Sequence, residues 1–71
     1  MSDIGKRVAE EVRAKAREYE TSYTFELECL GLSREHMYRW ERHGYNPNAE
    51  TLRRMLLAGY DVEYILTGVK K

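Results

Sequence analysis

The sequence predicts an all-α fold of five helices, forming a compact single domain over residues 1–71. Apolar residues recur every three or four positions near the front of the chain, which is the period of an amphipathic helix. Further along, polar residues of the kind that cap helix N-termini alternate with glycines of the kind that follow helix ends. No segment has a convincing strand pattern, so we expect no sheet.

The first predicted helix covers residues 3–19 and buries one stripe of side chains. That stripe contains Ile4, Val8, Val12, Ala16 and Tyr19. A second helix, residues 22–30, follows with Ser22 as its N-cap and Gly31 as its stop signal. Two stripes compete for its core-facing side. One stripe holds Tyr23, Leu27 and Leu30, and the other holds Phe25 and Cys29.

Three shorter helices complete the prediction, at residues 33–43, 48–58 and 61–66. Their expected N-caps are Ser33, Asn48 and Asp61, and the glycines that follow them are Gly44, Gly59 and Gly68. The residues expected to face the core are Met37 and Trp40 in the third helix and Leu52, Met55 and Leu56 in the fourth. Pro47 separates these two helices, because the residue before a proline disfavours helical geometry.

The charge is balanced in total but uneven along the chain. Twelve Lys and Arg offset twelve Asp and Glu, which argues mildly against nucleic acid, since its binders often carry a basic surplus. Residues 18–35 hold five glutamates and one arginine, whereas residues 36–54 hold four arginines and two glutamates. A neutral chain with this layout can still present one cationic face.

The single cysteine and the lack of long apolar runs predict a cytoplasmic protein. Cys29 has no partner for an internal disulfide, which fits a reducing compartment, and we expect it to behave as a small buried apolar residue. No apolar run has the length of a signal peptide or a membrane span.

The stretch LGLS, residues 30–33, is a short turn between two predicted helices with glycine near its start, which is the helix-turn-helix pattern. With Met37 and Trp40 buried, the opposite side of the third helix carries Arg34, Glu35, Tyr38 and Arg39. A recognition helix presents its N-terminal residues to a DNA major groove in this way. The alternatives are a solvated face for the arginines, a helix-dipole role for Glu35, and packing of Tyr38 on Arg34 or Arg42.

Several separate stretches resemble the lambda-repressor-like (Cro/cI-type) helix-turn-helix domains of phage and bacterial regulators. They are LGLS at 30–33, MYRWERHG at 37–44, Pro47, ETL at 50–52 and DVEYILTG at 61–68. The resemblance implies a DNA-binding transcriptional regulator, typically a repressor, that acts on palindromic operators. The front of the chain departs from the pattern. The family usually has Thr-Gln and Leu-Ala in the second helix, where this chain has Ser22-Tyr23 and Glu26-Leu27.

The resemblance also implies roles for particular residues. The positions that face base edges in the family hold Arg34, Glu35, Tyr38 and Arg39. The positions that hold phosphates carry Ser22, Tyr23, Arg42, His43, Tyr45 and Asn46. The resemblance further favours an ion pair between Glu41 and an arginine of the first helix, either Arg13 or Arg17.

We expect a symmetric homodimer joined through the fifth helix, whose apolar residues are too many for so short a segment to bury. The candidate interface residues are Tyr60, Val62, Tyr64 and Ile65. The alternative is that they only complete the core of one chain, with Ile65 and Leu66 pointing inward. A dimer would place two recognition helices about 34 Å apart, one turn of DNA.

No catalytic, metal, cofactor or small-molecule site is expected. His36 and His43 are too far apart on one helix for joint ligation, and no Cys-x-x-Cys occurs. No nucleophile lies in a pattern that suggests an adjacent base. The rival function is a protein-binding module or antirepressor on the same fold, which the zero net charge and the acidic second helix favour.

Overall fold

The computed structural model describes residues 3–70, so that Met1, Ser2 and Lys71 of the predicted domain lie outside the described residues. The described chain forms five helices and no strand, which confirms the predicted all-α architecture. The helices are α1 (Ile4–Glu18), α2 (Tyr23–Cys29), α3 (Arg34–Arg42), α4 (Ala49–Leu57) and α5 (Val62–Thr67). The predicted ranges differ mainly because they include the capping residues.

All four predicted N-caps are confirmed by hydrogen bonds. In each case the side chain of the cap accepts from the backbone N–H three residues later. The pairs are Ser22 with Phe25, Ser33 with His36, Asn48 with Thr51, and Asp61 with Tyr64. A cap of this kind stabilises a helix by about 1 kcal/mol, so the sequence defines these helix starts locally.

α1 lies at the centre of the fold and contacts α2, α3 and α5. Its predicted stripe is buried at Val8, Val12 and Ala16 and partly buried at Ile4. Tyr19 was expected to extend this stripe, but its side chain is exposed, because α1 ends at Glu18 and Tyr19 already belongs to the turn.

α1 and α3 approach each other closely at Gly5, which the stripe did not include. A Cβ atom on Gly5 would overlap the Cβ of Trp40 and lie 3.0 Å from its Cα. Glycine is therefore needed here for contact between the two helices, and not for its backbone freedom.

The burial of individual side chains shows which of the two stripes of the second helix faces the core. In α2, Leu27 is buried, as is Leu30 directly after the helix, whereas Phe25 is exposed. Cys29 is exposed as well, so the expectation that it is buried was wrong. In α3, Met37 and Trp40 are buried as predicted.

α4 contributes a narrower apolar face than the sequence indicates. Met55 is fully buried, and Leu52 packs partly buried against the core. Leu56 was expected to join them, but it is exposed. It lies about 100° around the helix from Met55, and the core meets α4 only along Leu52 and Met55.

Basic side chains from elsewhere in the fold satisfy the carbonyl groups at three helix ends. Lys15 Nζ donates to Ala58 O after α4 at 3.0 Å, and Arg7 Nε donates to Ile65 O in α5 at 2.8 Å. Arg54 Nη1 donates to Leu30 O after α2 at 3.5 Å. Cations at helix C-termini also offset the helix dipole. These three cations therefore have structural roles.

Candidate nucleic-acid interface

The outer face of α3 brings the four predicted base-contacting residues together in solvent. Tyr38 is 57% exposed, and the side chains of Arg39 and Glu35 are 53% and 71% exposed. Arg34, at the start of the helix, is exposed as well. Met37 and Trp40 hold the opposite side of the helix in the core, which fixes this orientation.

Two charged residues on this face are already paired with each other. Arg39 Nη2 donates to Glu35 Oε1 at 2.7 Å across one helical turn. An exposed pair of this type contributes about 0.3–0.5 kcal/mol, so a ligand can displace it with little loss. The pair holds the Arg39 guanidinium over the first turn of α3.

A hydrogen bond and a ring contact connect Arg34 to the neighbouring helix, α2. Its Nε donates to Thr24 Oγ1 in α2 at 3.3 Å, and its guanidinium carbon lies 5.9 Å from the centre of the Tyr23 ring. The contact between Arg34 and α2 joins α2 and α3 on their solvent side.

Tyr38 makes its ring contact with His43, which is not one of the two predicted packing partners, Arg34 and Arg42. The two rings meet edge to face, with their centres 5.3 Å apart. The contact links the middle of α3 with its C-terminal end, where Arg42, His43, Tyr45 and Asn46 are all exposed. Four of the six predicted phosphate-contacting residues therefore lie together at this end.

The other two, Ser22 and Tyr23, are engaged within the chain. The Ser22 hydroxyl accepts from the Phe25 N–H at 3.0 Å as the N-cap of α2. The Tyr23 hydroxyl is buried and has no hydrogen-bond partner, so in this conformation it cannot reach a phosphate in solvent. Burial raises the pKa of Tyr23, and the nearby Arg13 guanidinium, 4.9 Å from the ring centre, opposes that rise.

The predicted link between Glu41 and α1 is confirmed, and its partner is Arg13. Arg13 Nη2 lies 3.1 Å from Glu41 Oε1, with both side chains partly exposed. Such a pair contributes less than about 1 kcal/mol to stability. Because Glu41 pairs with Arg13, it does not pair with Arg17, the other predicted partner.

A groove of about 840 Å³ lies between α3, the C-terminal half of α1 and the turn that joins α1 to α2. Its charged lining consists of Arg13, Arg17, Arg34, Arg42, Glu35 and Glu41. Four arginines against two glutamates make it a cationic region on a chain of zero net charge. Sequence reasoning did not assign Arg17 to the site, because only the packing of α1 against α3 brings it there.

The predicted dimer residues do not form one exposed patch. Ile65 is fully buried and Tyr60 is buried, so neither side chain offers surface to a second chain. Val62 and Tyr64 are half-buried, and the Tyr64 hydroxyl donates to Glu10 Oε1 at 2.8 Å. Under the alternative prediction, Ile65 and Leu66 would both point into the core of one chain. Ile65 does so, but Leu66 is 47% exposed.

Within residues 3–70 no cluster of His, Cys, Asp and Glu is arranged to hold a metal ion. Over the same residues, no helix combines the length and the apolar character that crossing a membrane requires.

Comparisons with protein-family models, with curated proteins and with solved structures found no significant match to the chain.

Proposed function

We propose that the protein is a sequence-specific regulator that binds double-stranded DNA, with a lambda-repressor-like fold and α3 as its recognition helix. The observation that carries this proposal is the outer face of α3, where Arg34, Glu35, Tyr38 and Arg39 are exposed above a core anchored by Trp40. The resemblance of the LGLS turn and the following segments to Cro/cI-type domains favours a repressor of phage or prophage origin.

The side chains on this face suit the edges of base pairs. Arginine can donate to two acceptors of guanine at once, and glutamate can accept from the amino group of cytosine. The Arg39–Glu35 pair, at 2.7 Å, keeps both groups on the same turn of α3. Opening the pair onto a guanine–cytosine base pair would replace one ion pair by hydrogen bonds to both bases.

Phosphate contacts would come from the C-terminal end of α3 and the loop after it. Arg42, His43, Tyr45 and Asn46 are exposed there, next to the recognition face. Contacts to phosphates fix the position of a protein on the duplex and carry no sequence information directly. Their position beside α3 supports docking of this helix in the major groove.

A homodimer would supply the second recognition helix that a palindromic operator needs. The surface that supports it is smaller than the sequence suggests, since Tyr60 and Ile65 belong to the core. What remains near α5 is Val62, Tyr64 and the exposed side chains of Leu66 and Val69. A dimer joined by so few apolar groups would be weak in the absence of DNA.

The second candidate function is a protein-binding module on the same fold. Two observations favour it, namely the zero net charge and the exposed Leu56 and Leu57 at the end of α4. Exposed leucines side by side are typical of contacts with other proteins. Under this alternative, replacing the arginines of α3 would not change the affinity of the protein for DNA.

Selection from a library of random DNA duplexes tests the proposal. We expect the parent protein to enrich a palindrome, and Arg39→Ala to lose preference at one base pair in each half-site, worth about 1–3 kcal/mol. Arg53→Ala is the matched control, because Arg53 is an exposed arginine of α4 that also pairs with a glutamate, Glu50, at 3.4 Å. Enrichment of no motif, or equal preferences for both variants, would reject α3 as the reading surface.

A further inference from the structure

We propose that Arg17 of α1 and Arg42 of α3 together hold one phosphate group in the groove between the two helices. Assigning that phosphate to the DNA backbone rests on the function proposed above, whereas the pairing of the two guanidinium groups on a phosphate does not. The inference adds α1 to a binding surface that the sequence places only on α2, α3 and the loop after α3.

Most cations in the described part of the chain already have a partner. Arg7, Lys15 and Arg54 donate to helix-end carbonyls, and Lys70 lies over the ring of Tyr64. Arg13, Arg39 and Arg53 pair with glutamates, and Arg34 donates to Thr24. Among the basic residues in the described part of the chain, this leaves the side chains of Lys6, Arg17 and Arg42 without a hydrogen bond, an ion pair or a ring contact.

Two of these three free cations lie in one groove. Arg17 and Arg42 both line the groove of about 840 Å³, whereas Lys6 does not. The two carboxylates of the groove do not neutralise them, because Glu41 pairs with Arg13 and Glu35 pairs with Arg39. Two like charges in one groove repel each other until an anion lies between them.

Phosphate is the anion that matches this pair of cations. A guanidinium presents parallel N–H donors that match the oxygens of a phosphate, and two such groups can share its oxygens. The groove is far larger than one phosphate, which suits a group attached to a longer molecule. A duplex backbone that passes α3 would place a phosphodiester at this point.

The fold holds Arg17 in a defined place. Arg17 lies in the last turn of α1, where the helix dipole favours a cation. The turn after it is closed by a hydrogen bond from Thr21 N to Ala16 O at 2.8 Å. The closed helix end fixes the backbone of Arg17, so that binding has to order only its side chain.

The experiment uses the full chain and three variants: Arg17→Gln, Arg42→Gln and, as the matched control, Lys6→Gln. Lys6 is an exposed cation of the same helix, also without a partner, and lies outside the groove. The first arm titrates inorganic phosphate against chloride at constant ionic strength and follows the arginine Nε–Hε signals by NMR. The second arm measures the slope of log K against log salt for a DNA duplex.

In the phosphate arm we expect the Arg17 and Arg42 signals to shift together with one dissociation constant. Arg17→Gln should abolish the shift at Arg42, and Lys6→Gln should leave both shifts intact. In the DNA arm, Arg17→Gln and Arg42→Gln should each reduce the magnitude of the slope by about 0.9 for every chain bound, the value for one phosphate. The double variant should show the same loss per chain, because the two residues share that phosphate.

The arms separate the two sources of the phosphate. Coupled phosphate shifts with no DNA binding by the parent would support the phosphate site with a free phosphoryl ligand and reject the proposed function. Coupled shifts with a DNA slope that Arg17→Gln leaves unchanged would also assign the site to a free phosphoryl ligand. The inference is overturned if Arg17→Gln behaves like Lys6→Gln in both arms.

Discussion

Two junctions of equal length flank α2, one from Tyr19 to Ser22 and the other from Leu30 to Ser33. Each contains a residue with positive φ, Glu20 at 56° and Gly31 at 72°. The next N–H closes the turn in both, from Thr21 to Ala16 O at 2.8 Å and from Leu32 to Leu27 O at 2.9 Å. A serine then caps the following helix.

The side chains of the two junctions differ although the backbone path is the same. The second junction uses glycine at the positive φ and packs Leu32 against the core. The first uses Glu20, and Thr21 donates its hydroxyl proton to the buried Glu26 at 2.8 Å. A polar pair at the first junction therefore takes the place of the apolar contact that usually accompanies this turn.

The contacts of the first junction account for Glu26 and Leu27, the two positions at which the sequence differs from the Cro/cI-type pattern that it otherwise resembles. Glu26 is 6% exposed and satisfied by Thr21, and Leu27 is 1% exposed in the core. Both residues therefore hold α2 in place.

The largest expected effect comes from breaking the polar pair of the first junction. Thr21→Val would leave the buried Glu26 carboxylate without its donor and lower the free energy of unfolding by about 1–3 kcal/mol. The double variant Thr21→Val/Glu26→Leu makes the junction apolar and should recover most of that loss. Urea denaturation measures both variants, and a Thr21→Val protein as stable as the parent would show that the pair does not hold the turn.

The second prediction concerns the glycine of the other junction. Gly31→Ala should lower the free energy of unfolding by about 1–2 kcal/mol, because its φ of 72° is unfavourable for any residue with a Cβ. The new Cβ would also lie 2.7 Å from Arg54 Nη1 and displace it. Gly31→Asn is the control, since asparagine tolerates this φ and should lose less. Equal losses for both variants would argue against backbone strain.

The third prediction tests the buried polar region beside the first junction. The Tyr60 hydroxyl is buried without a partner, and burial, with Glu26 as the next cause, raises the pKa of Tyr60 to about 12. Because this pKa exceeds the unfolded value near 10, the related stability is complete below about pH 10 and declines as the pH rises toward 12.

Tyr60→Phe should remove that alkaline loss, with a difference of about 1 kcal/mol from the parent by about pH 10.5. Tyr45→Phe is the control, because it removes a tyrosine hydroxyl from an exposed site. Denaturation at a series of pH values measures all three proteins. A Tyr60→Phe profile that falls as steeply as that of the parent would contradict the assignment.

The smallest expected effect is a gain in stability. Glu20→Gly should raise the free energy of unfolding by about 0.5 kcal/mol, because glycine adopts the φ of 56° without strain but loses more freedom on folding. Glu20→Ala removes the charge and keeps the Cβ, so it separates charge from backbone strain. If alanine stabilises as much as glycine, the charge of Glu20 is responsible.

The same contrast shows which features the sequence could predict. Ser22, Ser33 and Gly31 act on backbone groups within a few residues, so their roles could be recognised from local sequence. The positive φ at Glu20 could not, because glutamate carries no signal for it. The exposure of Cys29 and the burial of Ile65 depend on which neighbouring helix covers each face.

The candidate site likewise has one part that local sequence predicts and another that it does not. The solvent-facing side of α3 could be predicted from the sequence, because the helical period places it opposite the apolar residues Met37 and Trp40, which are buried. The groove and the free Arg17 depend on how α1 packs against α3, and no local pattern encodes that contact.

The salt dependence of duplex affinity shows whether the cationic face formed by α3 and the neighbouring groove binds DNA, as proposed above. If a dimer neutralises two to four phosphates, the slope of log K against log salt should lie between about −1.8 and −3.6. Replacing Arg42, which is assigned to a phosphate, with alanine should make the slope less steep. A slope near zero, or no affinity for any duplex at about 50 mM salt, would contradict DNA binding and favour a protein partner.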